Sequence, residues 1–534
     1  MPASDVPECS IPPARPHPRF SHPFHEDPGD GSNDELHDWE KMRDTTIRNK
    51  WIREAKEQRK DLEHWEQLTD DMLEYVMDEL YGYAKLRDEK TGIECGPYEA
   101  TFVSDSLISQ ELTEALQRAV EPLEEVPEQE KDWHPGSEGR VLDLVHPSMY
   151  PLIYGETYGT FSEGRVSTVD PPVPSDVYED YDVDDIFISK RFQWLPSDFQ
   201  VDKTDAVKLA SSYINNIHPH HHDELVPVVE RLLEHAVPMW DRVLSTLDHC
   251  PIRRANLLED SEDEAEQDRD YGAWLESRLI RGPLTLPEGG PYTGQLERLL
   301  EMKFSLAERR IQVIVKLANI GLTPEKPEYP GGTWHVEGMA GESIVSTFIY
   351  YYQSENIEAC DLSFRMATSA PEFHEEDDDA CMRILFDMAR NDPCVQDIGS
   401  IETKAGRCVA FPNIYQHRVS PFQLVDETKP GVRKILAFFL VDPTVHIPST
   451  SVVGPQQRDV VKYTLLQVAQ DGAASSRLAM LPVELLDYIG GLVPGTMSRA
   501  EAEEIREELI KERSVMIQSV NTQFFAREFN MCEH

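Results

Sequence analysis

The chain has 534 residues, with 51 lysines and arginines against 98 aspartates and glutamates, a formal net charge of −47, and 40% hydrophobic residues. Such a charge repels a phosphate backbone over most of the surface and disfavours an anionic bilayer, so nucleic-acid and membrane binding are set aside. The length allows two to four domains at about 100–200 residues each. No apolar run approaches the roughly 20 residues of a membrane-spanning helix. The longest uninterrupted run, 435–441, has the length of a strand. The N-terminus carries Pro, Asp and Glu where a secretory leader needs a basic end and an apolar stretch, so a soluble, cytoplasmic protein is expected, with a nuclear location still open. Eight scattered cysteines without a CxxC pair read as reduced thiols.

Residues 1–32, rich in Pro, Asp and Gly, read as a flexible arm. Region 33–310 is expected to be mainly helical, with some strands that join a later core. Within it, Trp51, Trp65, Leu68, Met72 and Tyr75 recur at helical steps, and Ile108, Leu112, Leu116 and Ala119 form one stripe of a helix over 107–120. The alternation in 186–194 predicts a strand. Four histidines, His218, His220, His221 and His222, precede a helix over 223–246. Neighbouring histidines cannot all face one ion, so the cluster reads as a polar loop with Asp223 capping the helix. The acidic block 259–270 reads as a solvated insertion, and a helix is predicted over 293–309.

From 311 to 445 short β-rich runs alternate with turns, the pattern of a sandwich or barrel. The acidic stretch Glu375 to Asp379 reads as a solvated loop between two of these strands. The extension 446–534 returns to helix, and Ser498 with Glu501 forms a capping box opening a helix over 499–513. The expected class is α+β, a β core with large helical additions at both ends.

The chemistry concentrates in the β region. His335 and Glu337 are two apart on a strand end and so face the same side, and His417 on a neighbouring strand can supply a third ligand. Two histidines and one carboxylate on one face leave open positions, the arrangement of non-haem Fe(II) oxygenases. A chelating 2-oxo acid needs a guanidinium for its far carboxylate. Arg433, opening the next apolar strand, takes that part. Arg418 ranks second, because it follows His417 directly and points to the opposite face.

The order H-x-acid, then G-x-x-x-x-x-P-N, then H-R-V and an arginine-led strand resembles the Fe(II)/2-oxoglutarate-dependent dioxygenases of the prolyl-hydroxylase-like branch. The segments KDWHPGSEGRVLDLVHPS, RFQWLPSDF, SYINNIHP, WHVEGM, ENIEACDLSFR and FPNIYQHRVSPF make the chain similar to a fungal family designated domain of unknown function 4246. The resemblance implies a double-stranded β-helix (jelly-roll) core over 311–445. It also implies Fe(II) held by His335, Glu337 and His417, and 2-oxoglutarate anchored by Arg433. Two departures stand out: Glu337 replaces the usual Asp, and Ile435 stands where many relatives place Ser or Thr. Tyr350 and Tyr352 are expected to supply the missing carboxylate contact from inside the barrel. Asp143, Arg191, Tyr213, Asn215, Asn216 and Asn413 are candidate substrate contacts, although Asn and Asp also serve as turn scaffolding.

The implied activity is dioxygenation of a C–H bond, with molecular oxygen as co-reactant and a small molecule, amino acid or peptide as substrate. Hydroxylation is the default outcome, beside desaturation, cyclisation or demethylation. Two other readings stay open: a catalytically inactive β-helix scaffold for protein interaction, and a metal hydrolase using Zn at the same ligands. Oligomeric state is not legible.

Overall fold

The computed structural model describes residues 41–58, 68–171, 187–248, 291–368, 388–470 and 480–529, with positions 42, 162 and 163 excepted. The arm 1–32, the acidic block 259–270 and the run Glu375 to Asp379 lie outside the described residues.

The strands used below are β1 (Glu94–Cys95), β2 (Phe102–Ser104), β3 (Val141–Val145), β4 (Ser197–Val201), β5 (Val207–Leu209) and β6 (Arg310–Leu322). They continue with β7 (Ile344–Glu355), β8 (Asp361–Ala367), β9 (Val395–Glu402), β10 (Cys408–Pro412), β11 (Gln416–Val419) and β12 (Gly431–Val441). A large antiparallel sheet runs in the order β1-β2-β10-β7-β12-β6-β4-β5, with β3 also paired to β6. Strands from the first half of the chain therefore join directly to those of 310–441. A smaller sheet, β9-β8-β11, faces it.

Alternation along the large sheet sorts its side chains into two cores. Leu436, Phe438 and Leu440 of β12 face helices α3 (Gln110–Glu124) and α4 (Leu225–Leu247), whose Leu116, Leu232, Leu233 and Trp240 are fully buried. Burying each such side chain contributes roughly 1.5–3 kcal/mol. Ala437 and Phe439, on the other face, meet Leu362, Phe364, Ile398 and Ile401 of the small sheet. The remaining helices are α1 (Thr45–Gln58), α2 (Asp70–Leu86), α5 (Arg458–Gln470), α6 (Val483–Gly491) and α7 (Arg499–Gln523). Thr69 and Ser109 cap α2 and α3, and the Ser498–Glu501 capping box opens α7, which runs on to Gln523.

Three local expectations are corrected. Among the described residues of 186–194, only Phe192–Gln193 pairs as strand, against Leu152–Ile153. The helix over 293–309 reduces to one 3-10 turn, Gln295–Leu300, because α4 captures the backbone beyond it. Ser245 accepts from the Phe304 N–H at 3.0 Å and Asp241 from the Leu306 N–H at 2.8 Å. Asp223 caps nothing: Glu224 precedes α4 without a side-chain cap, and the Leu225 N–H is taken by the His222 carbonyl. Among the described residues Cys95, Cys360, Cys394 and Cys408 form no disulfide, and no helix is long and apolar enough to cross a membrane.

Candidate metal centre

His417 sits on β11, paired opposite Phe364 of β8. The segment carrying His335 lies against β11 on its other side, and His335 and His417 exchange both backbone hydrogen bonds, at 3.2 and 2.9 Å. Residues directly opposite in an antiparallel pair share a face, so the two imidazoles lie with centroids 4.4 Å apart. Glu337, two residues on, turns its carboxylate between them: Oε1 is 3.7 Å from His335 Nε2 and 3.4 Å from His417 Nε2. Gly338, at φ 71°, turns the chain away immediately afterwards, a conformation that disfavours a side chain.

His335 and Glu337 are held from behind by hydrogen bonds, whereas His417 Nδ1 is buried without a hydrogen-bond partner among the described residues. His335 Nδ1–H donates to the Thr333 carbonyl at 2.7 Å, which turns Nε2 toward Glu337. Asn413 accepts from the Glu337 N–H at 2.8 Å and donates to the Glu337 and Ile344 carbonyls at 2.8 and 3.0 Å. Phe411 packs edge-on to His417 at 4.8 Å and shields it from water. Burial alone would raise the Glu337 carboxyl, but hydrogen bonds from both histidines hold it well below the usual carboxylate range. Burial lowers His417, helped by repulsion from His335. For His335, burial also opposes charge, but the Glu337 carboxylate outweighs it and raises the pKa. One carboxylate shared by two imidazoles through their Nε2 atoms is a donor set that suits one divalent cation and leaves the rest of its shell open.

Arg433 of β12 lies on the inner face with Ile435, Ala437 and Phe439. Its side chain is fully buried, with Nη1 2.5 Å from Cys360 Sγ, Nη2 3.4 Å from the Glu358 carbonyl and the guanidinium 4.5 Å from the Phe422 ring centroid. Nε has no partner, and among the described residues no carboxylate lies within 4 Å of it. Arg418 points the other way and stacks on Trp334 at 4.5 Å.

Tyr350 and Tyr352 require a correction. Both face the helices: the Tyr350 hydroxyl meets Thr113 Oγ1 at 2.6 Å and the Tyr352 hydroxyl meets Asn319 at 3.3 Å. Tyr351, opposite Ile435, is the tyrosine on the inner face with Arg433. The alternation was right and its parity was not, because parity depends on a strand register that the sequence does not state.

The other candidate contacts divide between scaffold and surface. Tyr213 donates to the Val453 and Gly454 carbonyls, Asn215 to Met149 and Asn216 to His146. Arg191 forms an exposed ion pair with Glu508 at 2.6 Å. Asn413 holds the Glu337 backbone rather than facing open space. Asp143 belongs to a second cluster described below.

The family model described as "Protein of unknown function (DUF4246)" matches residues 70–464. The chain belongs to that family. Solved structures similar to this DUF4246 protein include the Fe(II)/(alpha)ketoglutarate-dependent dioxygenase TqaL, at 11% identity over 64% of this chain and 81% of that one, with a TM-score of 0.25. The rice dioxygenase for auxin oxidation is 13% identical over 75% and 95%, with a TM-score of 0.23. A bsmA homolog from Methylobium petroleophilum is 10% identical over 64% and 87%, with a TM-score of 0.24. No curated protein matches the chain.

The DUF4246 match also covers a second cluster, His134, Asp143 and His146, whose ligand-type atoms likewise converge within 4.8 Å. Its hydrogen bonds set it apart from the first. The Ser148 N–H donates to His146 Nδ1 at 3.1 Å, so that lone pair is occupied and the ring proton sits on Nε2. Burial lowers His146 to about 3, keeping it neutral. His134 Nδ1 bonds Asp143 Oδ2 at 2.8 Å. His146 thus offers a donor where a metal needs a lone pair. The His218–His222 loop is no closer to a metal site: His218 Nδ1 accepts from the His220 and His221 N–H groups, and the His218 and His221 rings stack at 3.8 Å. Sequence reasoning passed over His134 and His146 within a quoted segment, and also Lys316, a lone cation in the apolar run 311–320.

Proposed function

We propose that this DUF4246 protein is an Fe(II)- and 2-oxoglutarate-dependent dioxygenase that oxidises, by default hydroxylates, a C–H bond of a small molecule. The observation that carries this reading is the convergence of His335, Glu337 and His417 with both imidazoles oriented to present Nε2. The buried, carboxylate-free guanidinium of Arg433 on the same inner face supports it. The strand order supports a double-stranded β-helix: β6-β12-β7-β10 in one sheet, faced by the His335 segment, β11, β8 and β9 in the other. When bound, Fe(II) supplies the activation of molecular oxygen that couples conversion of 2-oxoglutarate into succinate and carbon dioxide to insertion of oxygen into the substrate.

The chain's own residues supply position and environment. His335, Glu337 and His417 hold the ion, and Asn413 fixes the Glu337 backbone so that its carboxylate keeps its aim. Arg433 offers two parallel N–H donors to the far carboxylate of the cosubstrate, in a pocket where Phe422 and Cys360 exclude water. Phe364 and Phe411 keep the inner side of His417 dry.

The test is anaerobic titration of the protein with Fe(II) and then 2-oxoglutarate, following the weak visible charge-transfer band of the chelate. A band that is lost in His335→Ala and weakened in Arg433→Ala is expected. Fe(II) binding without the band refutes the cosubstrate. Undiminished oxygen-dependent turnover in His335→Ala or His417→Ala refutes the assignment of the ligands.

A further inference from the structure

Lys316 lies at the centre of β6, opposite Ala437 of β12. Ala437 packs on the inner face, so Lys316 shares that face. It is half-buried, and among the described residues it makes no hydrogen bond or ion pair. Its charge is within electrostatic reach of His335 and His417 and of Asp143 and His146. Asp143 is opposite Ala318, two residues from Lys316 along the same face of β6, with a β-bulge between the two positions. Lys316 and Asp143 form no ion pair, and Asp143 Oδ2 is engaged by His134 Nδ1–H. The other Asp143 oxygen is buried without a partner. With its Nδ1–H committed to Asp143, His134 presents the Nε2 lone pair, and 30% of its side chain is exposed. The inner face therefore carries an uncommitted cation and, beside it, an acceptor backed by a carboxylate.

We propose that Lys316 and the His134–Asp143 pair form the subsite for the molecule to be oxidised, and that this molecule is an amino acid, or a close analogue, whose carboxylate pairs with Lys316 and whose amine faces His134. The place of this subsite beside the metal rests on the dioxygenase reading of the triad. Lys316 and Arg433 serve different ligands. Arg433 lies four residues along β12 from Ala437, roughly 13 Å at strand rise. The two cations are therefore far enough apart on one face to anchor two carboxylates. His134 is a positioning residue here, with Asp143 fixing its tautomer.

The experiment is saturation-transfer NMR on the full chain, metal-free and Zn(II)-loaded, with the proteinogenic L-amino acids and their decarboxylated amines as probes. Calorimetric titration of 2-oxoglutarate runs in parallel. At least one amino acid is expected to bind while its amine does not. Lys316→Met, which conserves volume, is expected to weaken that binding by about tenfold or more, with Lys316→Arg restoring part of it. His134→Phe is expected to weaken the amino acid while sparing the matching acid that lacks the amine. 2-Oxoglutarate should bind Lys316→Met as it binds the wild type and fail with Arg433→Met. The proposal is overturned if no amino acid binds, if Lys316→Met binds amino acids unchanged, or if Lys316→Met loses 2-oxoglutarate instead. Lys316-dependent amino-acid binding in a protein that takes neither Fe(II) nor 2-oxoglutarate upholds the subsite and refutes the dioxygenase reading.

Discussion

Replacing Arg433 by methionine is expected to stabilise the ligand-free protein while abolishing its response to 2-oxoglutarate. The guanidinium is almost wholly buried and has no carboxylate within reach among the described residues. Leaving a charge so placed costs several kcal/mol of desolvation. Against this stand a cation–π contact with Phe422, about 1–2 kcal/mol, and hydrogen bonds to Cys360 Sγ and, at long range, to the Glu358 carbonyl, together about 1–2 kcal/mol. Methionine fills a similar volume and keeps the contact with Phe422 and Cys360 apolar. The net gain is therefore about 1–3 kcal/mol. Urea denaturation followed by tryptophan fluorescence measures it. The same experiment with Zn(II) and 2-oxoglutarate at about one hundred times its Kd should stabilise the wild type by about 2.7 kcal/mol and the variant not at all. A variant destabilised by about 2 kcal/mol or more, with an intact response to 2-oxoglutarate, would show that Arg433 is a structural residue and would refute the reasoning.

Asn413→Ala is expected to lower affinity for Fe(II), or for Co(II) as a spectroscopic substitute, by about 10–100-fold, because it frees the Glu337 backbone without removing a ligand. Unchanged affinity in a metal titration would contradict the positioning role. Arg513→Ala leaves Glu342, which is buried and bonded to the Trp194 N–H at 2.8 Å, without its cationic partner at 2.5 Å. A loss of about 3–5 kcal/mol is expected, with faster amide exchange along α7. Burial lifts the Asp241 carboxyl to about 6, against the hydrogen bond from the Leu306 N–H. The folded state therefore holds this proton between about pH 4 and 6, so the group's contribution is full below that window and is lost as the pH rises through it. Asp241→Asn, which keeps an acceptor oxygen, is expected to be more stable than the wild type above about pH 6 and equal to it near pH 4, as denaturation across pH would show.

What the sequence disclosed depended on whether a feature needed a partner strand. His335 and Glu337 face together by the period of two alone, and the capping box at Ser498 is likewise local. The side of β7 that faces inward depends on the pairing of Tyr351 with Ile435, which no local pattern states, so the tyrosine parity was missed. The helix over 293–309 failed for a similar reason: its apolar spacing was real, but Asp241 and Ser245, more than 50 residues earlier, take the backbone donors a helix would have used. Asn413 looked like a polar pocket residue, and only the fold reveals that its three hydrogen bonds all close on backbone. Lys316 was hidden by the run that surrounds it, because a lysine within apolar residues reads as a strand whichever way it points.

Helix α7 has a consequence for how the site comes into being. Asn521, near its end, donates to the Trp334 carbonyl and accepts from Gln416 and Arg365, so it touches the immediate neighbours of both His335 and His417. Arg506 pairs with Asp132, and Arg513 with Glu342, along the same helix. During synthesis the two histidine-bearing segments can pair long before residue 521 has left the ribosome, yet the helix that pins them has still to arrive. The site is pinned only after α7 has been made. A fragment cut at the borders of the family match, 70–464, would stop short of that step and leave Asp132 and Glu342 as charges without their arginines.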